Sequence, residues 1–263
     1  MLVDYHIHTL FSDGICSHEE IVERAISLGV DSIGFSDHYG FYPNDWTASV
    51  DIIPEMVSEV LRCKKKYTGQ IQILLGLEVD YYPDKVKETR EVIEAYPFDY
   101  VMGSIHHIDG ENFDSDPNHN IYKKNSIDFL YQRYYELLSE AVCSGLFNII
   151  SHPDLIKKYN YIPSIDLTKV YNDLADLLVA NNIFAEYNTS GLSRPCQDFF
   201  PSDEIVSIFL KKGVKFIVGS DTHKLEHLLR NYQEAIRRLK VLGVDKLYRY
   251  DGLPISIGDF QLK

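Results

Sequence analysis

The stretch LVDYHIHTLFSDG, residues 2–14, decides the fold. It opens as a β-rich run and then passes into two histidines and a Ser-Asp-Gly turn. An open doubly wound sheet usually carries a Gly-rich phosphate loop after its first strand. That place is taken here by His6, His8 and Asp13. On an extended strand residues i and i+2 point to one side, so both imidazoles can reach one ion. A helix start follows, with Ser17 and Glu20 spaced as a capping box. Ile21, Val22, Ala25, Ile26 and Leu28 then form one apolar face, and Gly29 stands where the helix should end.

The same alternation repeats along the chain. β-rich runs fall at 2–7, 32–37, 71–78, 99–105, 147–151, 183–188 and 215–220. After the first helix, helical periodicity runs over 50–67, 84–96, 126–144, 166–181, 202–212 and 225–242. Seven βα units in a row predict parallel strands with helices outside. Runs such as IQILLGLE and KFIVGSD are nearly all apolar, which suits strands buried on both faces. The expected fold class is α/β: a distorted (β/α)7 TIM-like barrel in one domain covering residues 1–263.

Metal-type side chains fall at the strand ends. These are His6 and His8, then Asp37 and His38, Glu78, His106 and His107, His152 with Asp154, Glu186 with Asn188, and Asp221 with His223. In a parallel barrel these ends share one rim, the face that carries active sites. The remaining histidines, His18, His119 and His227, read as hydrogen-bonded or surface residues. Imidazole and carboxylate ligands suit Zn, Fe and Mn. With no cysteine among them, an open catalytic site is favoured over a closed structural one. One catalytic zinc needs three or four protein ligands. The surplus here is enough for two or three ions, and clustered ions favour phosphoester hydrolysis.

The bulk numbers narrow the partners. Twenty-six basic residues against 39 acidic ones give a net charge of -13, which speaks against sequence-independent nucleic-acid binding. Cys16, Cys63, Cys143 and Cys196 lack zinc-knuckle or redox spacing and read as free thiols in a reducing compartment. The N-terminus lacks the basic start and apolar run of a signal peptide. No stretch approaches the roughly 20 apolar residues of a spanning helix. The expectation is a cytoplasmic protein with a small-molecule substrate, no nucleic-acid or membrane partner, and an oligomeric state left open.

The motifs, in order, resemble the polymerase and histidinol phosphatase (PHP) superfamily. They are HIHTLFSDG (6–14), SDH (36–38), GLEVDY (76–81), GSIHHID (103–109), SHPDLIKK (151–158), EYNTSGL (186–192) and GSDTH (219–223). SHPDLIKK and EYNTSGL are the most discriminating, and they resemble the free-standing histidinol-phosphate phosphatases of that superfamily. The resemblance implies three divalent ions (Zn, Fe or Mn). His6, His8, Glu78 and Asp221 would hold one. Glu78 would bridge to a second, held also by His106 and His152. Asp13, His38 and His223 would hold the third. The implied reaction is hydrolysis of L-histidinol phosphate in histidine biosynthesis. Asp221, Glu78 and His223 would be its catalytic residues, with Arg194 and His107 as substrate contacts. A metal-bound water, His107 and His223 all stay open as proton donors to the leaving group. Acidic or aromatic residues in the loop 109–122 could meet the substrate's amine and imidazole. Alternatives in the same superfamily are phosphotyrosine and nucleotide phosphoesterases, and outside catalysis an inactive metal-binding scaffold.

Overall fold

The computed structural model describes residues 1–41 and 46–260. Seven strands pair in parallel in chain order. They are β1 (Val3–Asp4), β2 (Ser32–Phe35), β3 (Gln72–Asp80), β4 (Tyr100–Ser104), β5 (Ile149–Ile150), β6 (Phe184–Asn188) and β7 (Phe216–Gly219). The ring closes where the chain beyond β1 meets the chain beyond β7. Ile7 bridges Thr222 in parallel, His8 N–H donates to the Thr222 carbonyl at 2.8 Å, and Thr222 N–H donates to the His6 carbonyl at 3.0 Å. The expected seven-unit barrel is therefore the observed one.

The outer layer holds α1 (His18–Ser27), α2 (Ile53–Lys66), α3 (Val86–Ala95), α4 (Ile127–Cys143), α5 (Thr168–Ala180), α6 (Asp203–Lys212) and α7 (Tyr232–Val241). The capping box of α1 is present in full: Glu20 N–H donates to Ser17 Oγ, and Ser17 N–H donates to Glu20 Oε2. The last helix departs from expectation. Instead of running over 225–242 it begins at Tyr232, after a 3-10 turn at Leu225–His227. Leu229 and Asn231 take left-handed conformations, which break the helix. The break turns Arg230 inward, where its guanidinium donates to the Ser220 and Asp221 carbonyls. The loop expected at 109–122 also holds regular pieces, Glu111–Asn112 paired with His107–Ile108 and a short helix Asn120–Lys124. A hairpin of Lys246–Tyr248 and Pro254–Ser256 follows α7. No helix among the described residues is long and apolar enough to cross a membrane, and all four cysteines are free.

Tyr100 shows how the interior is filled. It starts on β4, yet its hydroxyl donates to the carbonyl of Tyr5, beyond β1, at 2.6 Å. Three strand spacings of about 4.8 Å exceed a tyrosine's reach along the outside, so the side chain must cross the interior. A Cβ on Gly34 or Gly76 would overlap its ring. These two strands therefore need glycine to admit it.

Candidate metal centre

The strand ends bring their polar side chains to one point, and that point is Glu78. Its carboxylate is fully buried and lies within ion-pair distance of five imidazoles. His6 Nε2 is at 2.8 Å, His152 Nε2 at 2.9 Å, His38 Nδ1 at 3.3 Å, His8 Nε2 at 3.4 Å and His106 Nε2 at 3.9 Å. Asp221 Oδ1 faces His8 Nε2 at 3.5 Å and His223 Nδ1 at 3.4 Å. Asp13 faces His223 Nε2 at 3.0 Å and His38 Nε2 at 3.8 Å.

Among the described residues, four groups result whose nitrogen and oxygen atoms lie within 4.8 Å of one another: His8–Asp13–His38–His223, His6–His8–Asp221, His6–Glu78–His152 and His38–Glu78–His106. Together they contain all nine residues that the sequence marked for metal. The partition is finer than expected, because Glu78 meets His152 with one group and His106 with another, and His38 faces both Asp13 and Glu78.

Local structure holds these groups in place. Asp37, at the end of β2, accepts from Thr9 N–H at 2.6 Å, Thr9 Oγ1 at 2.8 Å and Ser12 Oγ at 2.6 Å, which fixes the loop carrying Asp13. Asp4 accepts from Ser220 N–H at 2.9 Å and steadies the loop carrying Asp221. His152 and Asp221 both have positive φ, a sparsely populated conformation for residues other than glycine that recurs at functional sites. Ser190 Oγ donates to Asp221 Oδ2 at 2.9 Å, leaving Oδ1 toward the histidines.

The charges are strongly coupled. Burial raises the Glu78 carboxyl, but His6 and His38 outweigh it and hold it well below the usual range. Burial lowers His6, but Glu186 and Glu78 hold its imidazole well above the ordinary value. Burial, with His8 and His106, pushes His38 down to about 3 against Glu78 and Asp13. Burial and His223 likewise lower His8. Neutral imidazoles present lone pairs, which is the form a metal binds.

The donor set fits divalent cations. Both ring nitrogens of His8, Asp13 Oδ1 and His152 Nδ1 are buried without a hydrogen-bond partner. A buried polar atom left unpaired costs about 1–3 kcal/mol. A cation at the cluster would supply the His8 and Asp13 partners and offset the crowding of Glu78 and Asp221 carboxylates around the same imidazoles.

Beside the cluster opens a cavity of about 350 Å³. Asp13, His38, His106, His152, Asp221 and His223 line it, as does Arg194. His107 is not among the lining residues. It turns toward Asp80 Oδ2 at 3.3 Å and stacks on Trp46. Asp114, an acidic residue of the loop 109–122, lines the cavity, as do Trp46, Lys158 and His227, which were not singled out from sequence as functional. Lys158 Nζ binds Asp114 Oδ1 at 2.7 Å. His18 is buried and lies 3.7 Å from Asp37, and His119 pairs with Ser115 Oγ. Asp80 was also passed over, though it stands two residues beyond Glu78 on one strand face; its Oδ1 meets His106 Nδ1 at 2.6 Å.

The PHP domain pattern matches residues 4–190. The chain belongs to the PHP domain family. The matched stretch carries His6, His8, Asp13, His38, Glu78, His106 and His152, whereas Arg194, Asp221 and His223 lie beyond it. Curated PHP relatives extend over those positions as well. A probable histidinol-phosphatase of Deinococcus radiodurans is 28% identical over 251 residues, covering 92% of this chain and 94% of its own. A histidinol-phosphatase of Lactococcus lactis is 27% identical over 267 residues, covering 97% and 96%. A crystal structure of the Lactococcus lactis histidinol phosphate phosphatase, complexed with zinc, L-histidinol and phosphate, superposes with a TM-score of 0.78 at 23% identity over 92% of each chain. That likeness confirms the PHP barrel.

Proposed function

We propose that this PHP chain is a metal-dependent phosphomonoesterase that hydrolyses L-histidinol phosphate to L-histidinol and phosphate, a step of histidine biosynthesis. The observation that carries the reading is the convergence of five imidazoles on buried Glu78, three of which, His38, His106 and His152, line a cavity sized for a small molecule. The full-length relatives named histidinol-phosphatase support the substrate.

His6, His8, Glu78 and Asp221 would hold one ion, Glu78, His106 and His152 a second, and Asp13, His38 and His223 a third. Zn, Fe and Mn all suit this donor set. Bound there, divalent ions supply Lewis acidity toward phosphoryl oxygens and acidify water to give a nucleophile near neutral pH. The protein's part is positioning and charge. Arg194, which lines the cavity, suits a phosphate by bidentate hydrogen bonding. Asp221, fixed by Ser190 and Arg230, orients the attacking group.

Purified protein should be assayed on L-histidinol phosphate, a phosphotyrosine peptide and nucleoside monophosphates, before and after chelation and with zinc, iron or manganese restored. Turnover should favour histidinol phosphate by a wide margin, vanish on chelation and return with metal. A preference for either competitor would sink the substrate assignment, and chelator-resistant turnover would sink the metal reading.

A further inference from the structure

Glu186, in the middle of β6, is fully buried and belongs to none of the four clusters among the described residues. Both of its oxygens are engaged. Oε1 meets His6 Nδ1 at 2.7 Å. Oε2 accepts from the His152 backbone N–H at 2.8 Å and from Asn188 Nδ2 at 3.1 Å. The fold makes room for this carboxylate. Gly219 on β7 lies against it, and a Cβ there would overlap Glu186 Oε1 and press on His6 Cβ.

A buried carboxylate is costly unless something compensates it. Here the compensation lies in what it holds. In a metal-bound, neutral His6 whose Nδ1 proton goes to Glu186, the lone pair would sit on Nε2, on the side of Glu78. A carboxylate behind an imidazole fixes its tautomer, fixes its ring and raises its basicity as a ligand. The second oxygen holds the backbone of His152, which meets Glu78 from the other side.

We propose that Glu186 is a positioning residue of the metal centre, one carboxylate that orients His6 and anchors His152, the two imidazoles that share a cluster with Glu78. The proposal rests on the metal-centre reading above. It distinguishes Glu186 from a ligand, because Glu186 joins none of the clusters among the described residues and both of its oxygens already meet protein partners.

The test is zinc affinity, measured by competition with a chromogenic chelator, in the wild type and in Glu186→Gln, Glu186→Asp and Asn188→Ala. Wild type should hold two or more zinc ions; fewer would fail the metal-centre reading itself. Glu186→Gln should weaken zinc about 10- to 100-fold. It should lower kcat while leaving KM nearly unchanged, since Glu186 does not line the cavity. Glu186→Asp keeps the charge but is one methylene short of spanning both partners, so it should not restore affinity. Asn188→Ala removes one donor and leaves the His6 contact, so its loss should be smaller. Metal-free melting of each variant separates a structural role, which would lower the melting temperature without moving zinc affinity. Should Glu186→Gln fail to fold, Glu186→Asp and Asn188→Ala decide. Wild-type zinc affinity in the folded Glu186 variants would overturn the proposal.

Discussion

Trp46 meets the His38 imidazole edge-on, with ring centroids 4.7 Å apart and planes at 80°. It meets His106 in the same way at 5.1 Å and stacks on His107 at 5.9 Å. Trp46 is the chain's single tryptophan, so its emission reports on two proposed ligands at once. Adding zinc to chelated protein should change that emission in step with metal uptake, and chelator should reverse it. Trp46→Phe should take up zinc silently. Unaltered emission during measured zinc uptake would count against ligation through His38 and His106.

Glu78→Ala removes the carboxylate shared by five imidazoles. Turnover should fall at least about 10³-fold, equivalent to roughly 4 kcal/mol of barrier. Circular dichroism should still show a folded barrel, because the apolar core does not depend on this group. Near-normal kcat in a folded Glu78→Ala protein would end the proposed mechanism.

Tyr100 occupies the space over Gly76. Gly76→Ala should therefore overpack the barrel and cost about 1–3 kcal/mol in urea unfolding. Tyr100→Phe should cost about 1 kcal/mol through the lost bond to Tyr5. The loss in Gly76→Ala/Tyr100→Leu should be smaller than the sum of the Gly76→Ala and Tyr100→Leu losses, because the clash is gone. Strict additivity would show that the ring does not fill the barrel as described.

Burial lowers the His18 imidazole below its ordinary value, against the pull of Asp37 and Glu59. The unfolded chain takes up this proton near pH 6.5, while the folded chain resists until lower pH. Between those points the unfolded state binds more protons, so stability is complete above about pH 6.5 and declines as pH falls. Metal-free His18→Gln should therefore lose less melting temperature than the parent on acidification from about pH 6.5. Parallel curves for the two proteins would refute the assignment.

Arg194 lines the cavity wall. A hydrogen bond to a charged group contributes about 1.5–3 kcal/mol, so Arg194→Ala should raise KM for the phosphate ester roughly ten- to hundredfold. Inhibition by L-histidinol, which lacks the phosphate, should hardly move. Equal weakening of both would place Arg194 away from the phosphate.

Much of this was legible in the chain because it depends on local pattern. A capping box such as Ser17–Glu20 is made within one turn, and apolar runs declare buried strands wherever they pair. The α7 start was not legible. Residues 225–242 carry helical periodicity, yet Leu229 and Asn231 take left-handed conformations, and Arg230 between them binds the carbonyls of Ser220 and Asp221, contacts that no local pattern announces. The same limit hid Trp46, Lys158 and His227, whose place in the cavity depends on loops folding over the rim.

The sequence by itself determined the seven βα units and the set of nine metal-type residues at their ends. Each is a matter of residue type and short-range spacing, and a parallel barrel then gathers all strand ends on one rim. Only the tertiary structure decided how those residues divide. That Glu78 is the shared hub, that Glu186 and Asp80 stand behind His6 and His106, and that His107 turns from the cavity follow from side-chain directions across the barrel. Such directions are set by closure, by the glycines that admit Tyr100 and Glu186, and by contacts between residues up to about two hundred positions apart. No local periodicity encodes them, since they exist only once the ring is closed.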